Sequence, residues 1–131
     1  MKIDHIGYAV RNIDLAVKSF RELGFGFGSV FEDHSRNIMI IFGENNGYRI
    51  ELCSPLHKNI ESPLDVYLKS SFGIPYHLCF ISNDIDEDME ELIKQGYRVI
   101  VEPQPAIAFE GRKVVFLMNR SIGIVELVEG I

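Results

Sequence analysis

Residues 3–25, IDHIGYAVRNIDLAVKSFRELGF, and residues 75–97, PYHLCFISNDIDEDMEELIKQGY, align at a single offset of 72 without a gap. His5 falls on His77, Ile6 on Leu78, Tyr8 on Phe80, Ile13-Asp14 on Ile85-Asp86 and Gly24-Phe25 on Gly96-Tyr97. The closing stretches agree too. RIEL at 49–52 resembles IVEL at 124–127, which sets Glu51 against Glu126 at an offset of 75. The three additional residues fit one loop insertion. The chain therefore reads as two copies of one supersecondary unit, each small for a core of its own.

Both copies carry the same pattern. Residues 2–10 alternate, with Ile6, Tyr8 and Val10 on one face and Ile3, His5, Gly7 and Ala9 on the other, the period of a half-buried strand. Asn12 then caps a helix over 13–23 with apolar positions at Ile13, Ala16, Val17, Phe20 and Leu23, and Gly24 ends it. Strands follow at 29–32, 37–42 and 48–53, the last two separated by the Asn-Gly hairpin signal within 44–47. The second copy predicts a strand over 76–82, a helix over 85–95 and strands near 97–102, 113–118 and 123–129. In the joint, Ser62-Pro63-Leu64-Asp65 predicts a helix start with Ser62 as the cap. The expected fold class is α+β, two tandem βαβββ modules in a single domain over 1–131. Module one covers about 1–53, a linker helix about 54–74 and module two about 75–131.

Composition narrows the function. At 131 residues, 47% hydrophobic and 24% charged, the chain is an ordinary globular domain and not a disordered one. Its net charge of −6, from 13 basic and 19 acidic residues, argues against nucleic acid or an anionic membrane as partner. No apolar run approaches the roughly 20 residues of a membrane span. Asp4, His5, Arg11 and Asp14 interrupt any signal-peptide core, and the two cysteines form no disulfide framework, so a reduced cytoplasmic setting is expected.

The candidate chemistry follows from side-chain direction. In the first strand His5 points away from Ile6 and Tyr8, and in the fourth Glu51 points away from Ile50 and Leu52, on the side of Arg49 and Cys53. His77 and Glu126 repeat this relation in the second copy. A pseudo-twofold arrangement of the modules gathers His5, Glu51, His77 and Glu126 in one concave site. Two imidazoles and two carboxylates suit one divalent metal: Ni, Co, Zn, Mn or Fe. His34 and His57 have no mirror partners and read as surface residues, while Cys53 and Cys79 read as small apolar fillers.

These residues, with DHIGYAVRNID at 4–14, IELCSPL at 50–56, SPLDVYLKS at 62–70 and GRKVVFL at 111–117, resemble the vicinal oxygen chelate superfamily. That superfamily includes glyoxalase I, methylmalonyl-CoA epimerase, extradiol dioxygenases and bleomycin-resistance proteins. The resemblance implies an open, incomplete barrel around a metal site. It also implies a homodimer, and proton transfer α to a carbonyl or thioester through an enediolate. Glu126 and Glu51 then act as both ligands and bases, with Glu126 the principal base.

Three departures bear on the substrate. Tyr76 stands where epimerases often carry the first of a His pair, residues 38–42 hold no acidic base, and 119–123 replace the Asp-Pro-Asp-Gly turn of glyoxalase I. These departures leave the substrate open; the resemblance implies a small thioester or a hemithioacetal, for an epimerase or a lactoylglutathione lyase-type isomerase respectively. A metal-free antibiotic-binding module needs no such ligands, and an extradiol dioxygenase has no use for Glu51 as a fourth. Substrate-binding candidates are Arg49, Tyr76, Arg112 and Lys113. Arg49 either anchors a substrate carboxylate or restrains Glu51. Loop 103–113, apolar and flexible, is either a closing lid with Glu110 as a spare carboxylate or a solvated hairpin.

Overall fold

The computed structural model describes residues 1–131. Its elements run β1 (Lys2–Val10), α1 (Ile13–Glu22), β2 (Gly26–Asp33), β3 (Ile38–Asn45), β4 (Tyr48–Pro55), α2 (Asp65–Leu68), β5 (Gly73–Ser82), α3 (Ile85–Lys94), β6 (Arg98–Pro105), β7 (Lys113–Asn119) and β8 (Gly123–Glu129). A 3-10 turn, Ile107–Phe109, precedes β7. The chain forms two compact units, one made of Ile6–Tyr76 and the other of Met1–His5 with His77–Ile131. Strand β1 thus contributes its first residues to one unit and the rest to the other.

In the unit Ile6–Tyr76 the strand order is β2-β3-β4-β1. β1 runs parallel to β4, with Ile6 opposite Ile50, Gly7 opposite Glu51 and Tyr8 opposite Leu52. A parallel neighbour needs a crossover, and α1 is part of that crossover. The Asn12 side chain accepts from the Leu15 amide at 3.0 Å, and Leu23 and Gly24 (φ 97°) close the helix. Val10, Ile13, Val17, Ile41, Ile50 and Leu52 form the core, with Tyr8 and Phe20 edge-to-face at 5.4 Å. The β3–β4 hairpin turns on Asn46 and Gly47, both at positive φ, as an Asn-Gly turn of this length requires.

The other unit repeats the plan in the order β5-β8-β7-β6. β5 is parallel to β8, with Leu78 opposite Val125, Cys79 opposite Glu126 and Phe80 opposite Leu127. Asp84 caps α3 by accepting from the Glu87 amide at 3.1 Å. Ile85, Val115, Leu117, Val125 and Leu127 make the core. The two units therefore share one register: the residue two places beyond each His faces a Glu on the parallel neighbour.

Two local expectations change. Ile6 and Leu78, assigned by alternation to the helix-covered face, are each 38% exposed, whereas His5 and Ala9 on the opposite face are buried. In the Ile6–Tyr76 unit the core side chains of α1 pack against Tyr8 and Val10, towards the end of the strand, leaving Ile6 outside that cluster. In the joint only Asp65–Leu68 is helical, with Leu64 as N-cap and no side-chain cap. Ser62 and Asp65 instead make a turn one step earlier: the Ser62 amide donates to the Asp65 carboxylate at 3.0 Å and the Leu64 amide to Ser62 Oγ at 3.3 Å. Arg11 donates to the carbonyls of Leu68 and Ser71 and pins the end of this segment. No helix is long and apolar enough to cross a membrane.

Candidate metal centre

His77 on β5 and Glu126 on β8 meet His5. His5 Nε2 and His77 Nε2 face each other at 3.2 Å, and each lies 3.3 Å from Glu126 Oε1. All three residues are buried, and neither imidazole has any exposed side-chain surface. Donors about 2.1 Å from one ion and at right angles to each other are about 3.0 Å apart, so this triangle has the edges of three adjacent metal ligands. Glu126 Oε1 makes no hydrogen bond despite its burial, a costly state for a carboxylate oxygen unless a cation meets it. The donor set, two borderline imidazole nitrogens and a hard carboxylate oxygen, fits a divalent transition ion.

Burial on its own would raise the Glu126 carboxyl. The two imidazoles of His5 and His77, each 3.3 Å from Oε1, outweigh it and hold the group below the ordinary carboxylate range. Desolvation between Val125 and Leu127 favours a more basic group; the two imidazoles reverse the direction.

Glu51 lies on β4 opposite Gly7, buried, with the Cys53 thiol donating to its Oε1 at 3.2 Å. Cys79 is fully buried, and burial pushes its thiol well above the ordinary range, so it stays protonated beside His5 and Glu126. The four substrate-binding candidates have the following surroundings. The Arg49 guanidinium lies 4.0 Å from the centre of the Phe42 ring, and Tyr76 packs on Tyr67 with ring centres 4.9 Å apart. Arg112 donates to the carbonyls of Phe109 and Glu129, at 3.3 and 2.9 Å, and Lys113 is exposed.

Three residues of the site escaped the sequence reading. The Asp4 carboxylate accepts from His5 Nδ1 at 2.8 Å. Phe109 stacks on the His5 ring with centres 5.8 Å apart, and Phe116, opposite Glu126, meets His77 edge-on at 5.5 Å. Adjacency to His5 was a visible signal for Asp4, whereas Phe109 sits in the segment read as a flexible lid or hairpin. In that segment Ala106, the N-cap of the 3-10 turn, and Phe109, its last residue, are buried. His34 and His57 are exposed as expected.

The chain is similar to known proteins in sequence and in fold. The family model described as "Glyoxalase/Bleomycin resistance protein/Dioxygenase superfamily" matches residues 4–116. An ethylmalonyl-CoA/methylmalonyl-CoA epimerase from Cereibacter sphaeroides is 29% identical over 118 residues, 88% of this chain and 87% of the relative. Among solved structures, a hypothetical protein from Bacillus halodurans C-125 superposes with a TM-score of 0.86 at 28% identity, covering 99% of this chain and 94% of the other. Methylmalonyl-CoA epimerase from Mycobacterium tuberculosis superposes at 0.83 and 22% identity, covering 99% and 88%. The paired βαβββ fold is the one these structures share.

Proposed function

This chain belongs to the glyoxalase/bleomycin resistance protein/dioxygenase superfamily, and within it we propose a metal-dependent epimerase that moves a proton α to the carbonyl of an acyl-CoA thioester. The observation that carries this reading is the buried triangle of His5 Nε2, His77 Nε2 and Glu126 Oε1, in a chain similar to an ethylmalonyl-CoA/methylmalonyl-CoA epimerase. Glu51 is proposed as the fourth ligand, supported by register: it faces Gly7, two residues beyond His5 on the same strand, as Glu126 faces Cys79 beyond His77. When bound, the ion supplies Lewis-acid stabilisation of the charge that develops on the substrate carbonyl oxygen.

The remaining work falls to the chain. Glu126, ionised at neutral pH, accepts the α proton as the C–H bond breaks, and Glu51, which enters this step as the carboxylic acid, gives its own proton to the opposite face of the carbon and is left ionised; proton exchange with solvent resets the two groups. Phe109 and Phe116 line the imidazoles with apolar surface and exclude water from them. Arg49, Tyr76, Arg112 and Lys113 remain candidates for holding the substrate. Arg112 would act by supporting Phe109, since its guanidinium is hydrogen-bonded to main-chain carbonyls. The reading includes a homodimer and a reduced cytoplasmic setting, the latter supported by two free buried cysteines.

A second reading, isomerisation of a hemithioacetal as in glyoxalase I, is favoured by one observation: Ile38, Met39, Ile40, Ile41 and Phe42 on β3 offer no further carboxylate as a dedicated base. Incubation of the Co2+- or Ni2+-loaded protein with methylmalonyl-CoA in deuterated water tests the main reading. Deuterium is expected at the α carbon. A loaded protein that exchanges no deuterium into the thioester yet isomerises the methylglyoxal–glutathione hemithioacetal moves the assignment to the second reading.

A further inference from the structure

We infer that Asp4 is a positioning residue that holds His5 in the one tautomer able to take a metal, an inference that rests on the metal reading above. An ionised carboxylate only accepts hydrogen bonds, so the 2.8 Å contact between Asp4 Oδ2 and His5 Nδ1 places the ring proton on Nδ1. A neutral imidazole carries a single N–H, and Nε2 is left as a bare lone pair. That Nε2 is the atom 3.2 Å from His77 Nε2 and 3.3 Å from Glu126 Oε1. In the other tautomer an N–H would point into the donor triangle and compete with the ion. The ring cannot evade the choice by rotating freely, because Phe109 stacks on it (5.8 Å, 21° between planes) and its side chain is wholly buried. The Asp4 carboxylate also raises the donor strength of Nε2, as carboxylates behind metal-bound imidazoles do.

The repeat gives the two imidazoles different chain neighbours. The repeat places Tyr76, not a carboxylate, immediately before His77, and the Tyr76 ring packs on Tyr67. His5 is accordingly the anchor of the pair, its tautomer set before any ion arrives.

Two measurements on the full chain test this: Co2+ affinity by competition with a chelator, and the protonation of the His5 ring nitrogens by 15N NMR of the metal-free protein. The parent is expected to show His5 protonated at Nδ1. Asp4→Ala should lower Co2+ affinity about 10–100-fold and lose the fixed Nδ1–H signature. Asp4→Asn, whose amide oxygen still accepts the bond, should keep the signature and recover affinity to within about tenfold of the parent. Asp4→Ser replaces Asp4→Ala if the latter does not fold. A parent that binds Co2+ together with an Asp4→Ala or Asp4→Ser protein that binds it equally well overturns the role of Asp4 alone, as does a parent with His5 protonated at Nε2. A parent that takes up no Co2+ overturns the metal reading itself, and this role with it.

Discussion

The parallel pairs β1/β4 and β5/β8 are copies in register and unlike in their supports. Each sets a Glu opposite the residue two places beyond a His, and each backs that Glu with a wholly buried Leu, Leu52 in one and Leu127 in the other. The surroundings of the donors differ. His5 is preceded by Asp4 and His77 by Tyr76, and Glu51 faces Gly7 whereas Glu126 faces Cys79. The connection before the third strand of each copy differs too. Between β2 and β3 it is a tight turn in which Asp33 binds Ser35 and Arg36. Between β6 and β7 it is the buried Phe109 turn. Backbone register repeats the His and Glu positions, and single side chains outside the repeat make the two units chemically different.

The comparison predicts graded effects. The largest belongs to Glu126→Gln, which should slow α-proton exchange by about 10²–10⁴-fold while retaining most metal, measured by deuterium incorporation beside metal analysis. If Glu51→Gln is the dead variant and Glu126→Gln exchanges at the parental rate, the two carboxylates have swapped roles. Loss of a ligand comes next: His5→Ala and His77→Ala should each weaken Co2+ binding by more than the 10–100-fold of an outer-shell change. Both should leave the circular dichroism of the fold unchanged. Equal losses would mean that Asp4 gives His5 no advantage as a donor.

The structural symmetry is testable through stability. Leu52→Ala and Leu127→Ala, at matching positions of the repeat and both wholly buried, should each cost about 2–5 kcal/mol in urea unfolding. A gap wider than that range would show that the two cores do not carry load alike. The smallest effect concerns Asp33, which has no counterpart in the second copy. Burial opposes its ionisation, but hydrogen bonds from Ser35 and Arg36 and the Arg36 charge outweigh that and hold its carboxyl below the ordinary value of 3.8. A depressed folded pKa means stability that is present above the unfolded pKa and lost as pH falls through the folded one. Asp33→Asn should therefore cost about 1–2 kcal/mol at neutral pH, and the difference from the parent should close below about pH 4. A gap that persists unchanged at pH 2 would mean that packing, not charge, is what Asp33 contributes.

Much of this was legible in residue order because strands and amphipathic helices are short-range devices. Asn12, the period from Ile13 to Phe20 and the Asn46-Gly47 turn each act within a few residues of their own position, and the structure follows them closely. The joint shows the limit. Ser62 and Asp65 carry a helix-start pattern, yet the helix that follows lasts only Asp65–Leu68, because Arg11, distant in sequence, draws the Leu68 and Ser71 carbonyls to itself. Ile6 shows another: alternation assigns it a face, but whether a helix reaches far enough to cover it depends on where α1 lies.

By itself, then, the sequence determined the two βαβββ modules and the matching strand positions of His5 with His77 and of Glu51 with Glu126, since periodicity and repetition are properties of order along the chain. Tertiary structure alone decided that His5 Nε2, His77 Nε2 and Glu126 Oε1 converge to about 3 Å. It also decided that Phe109 leaves solvent to stack on His5, and that Glu126 is held more acidic than its apolar neighbours suggest. Those outcomes depend on distance and on competition between desolvation and charge, and both are set by residues far apart in sequence and close in space.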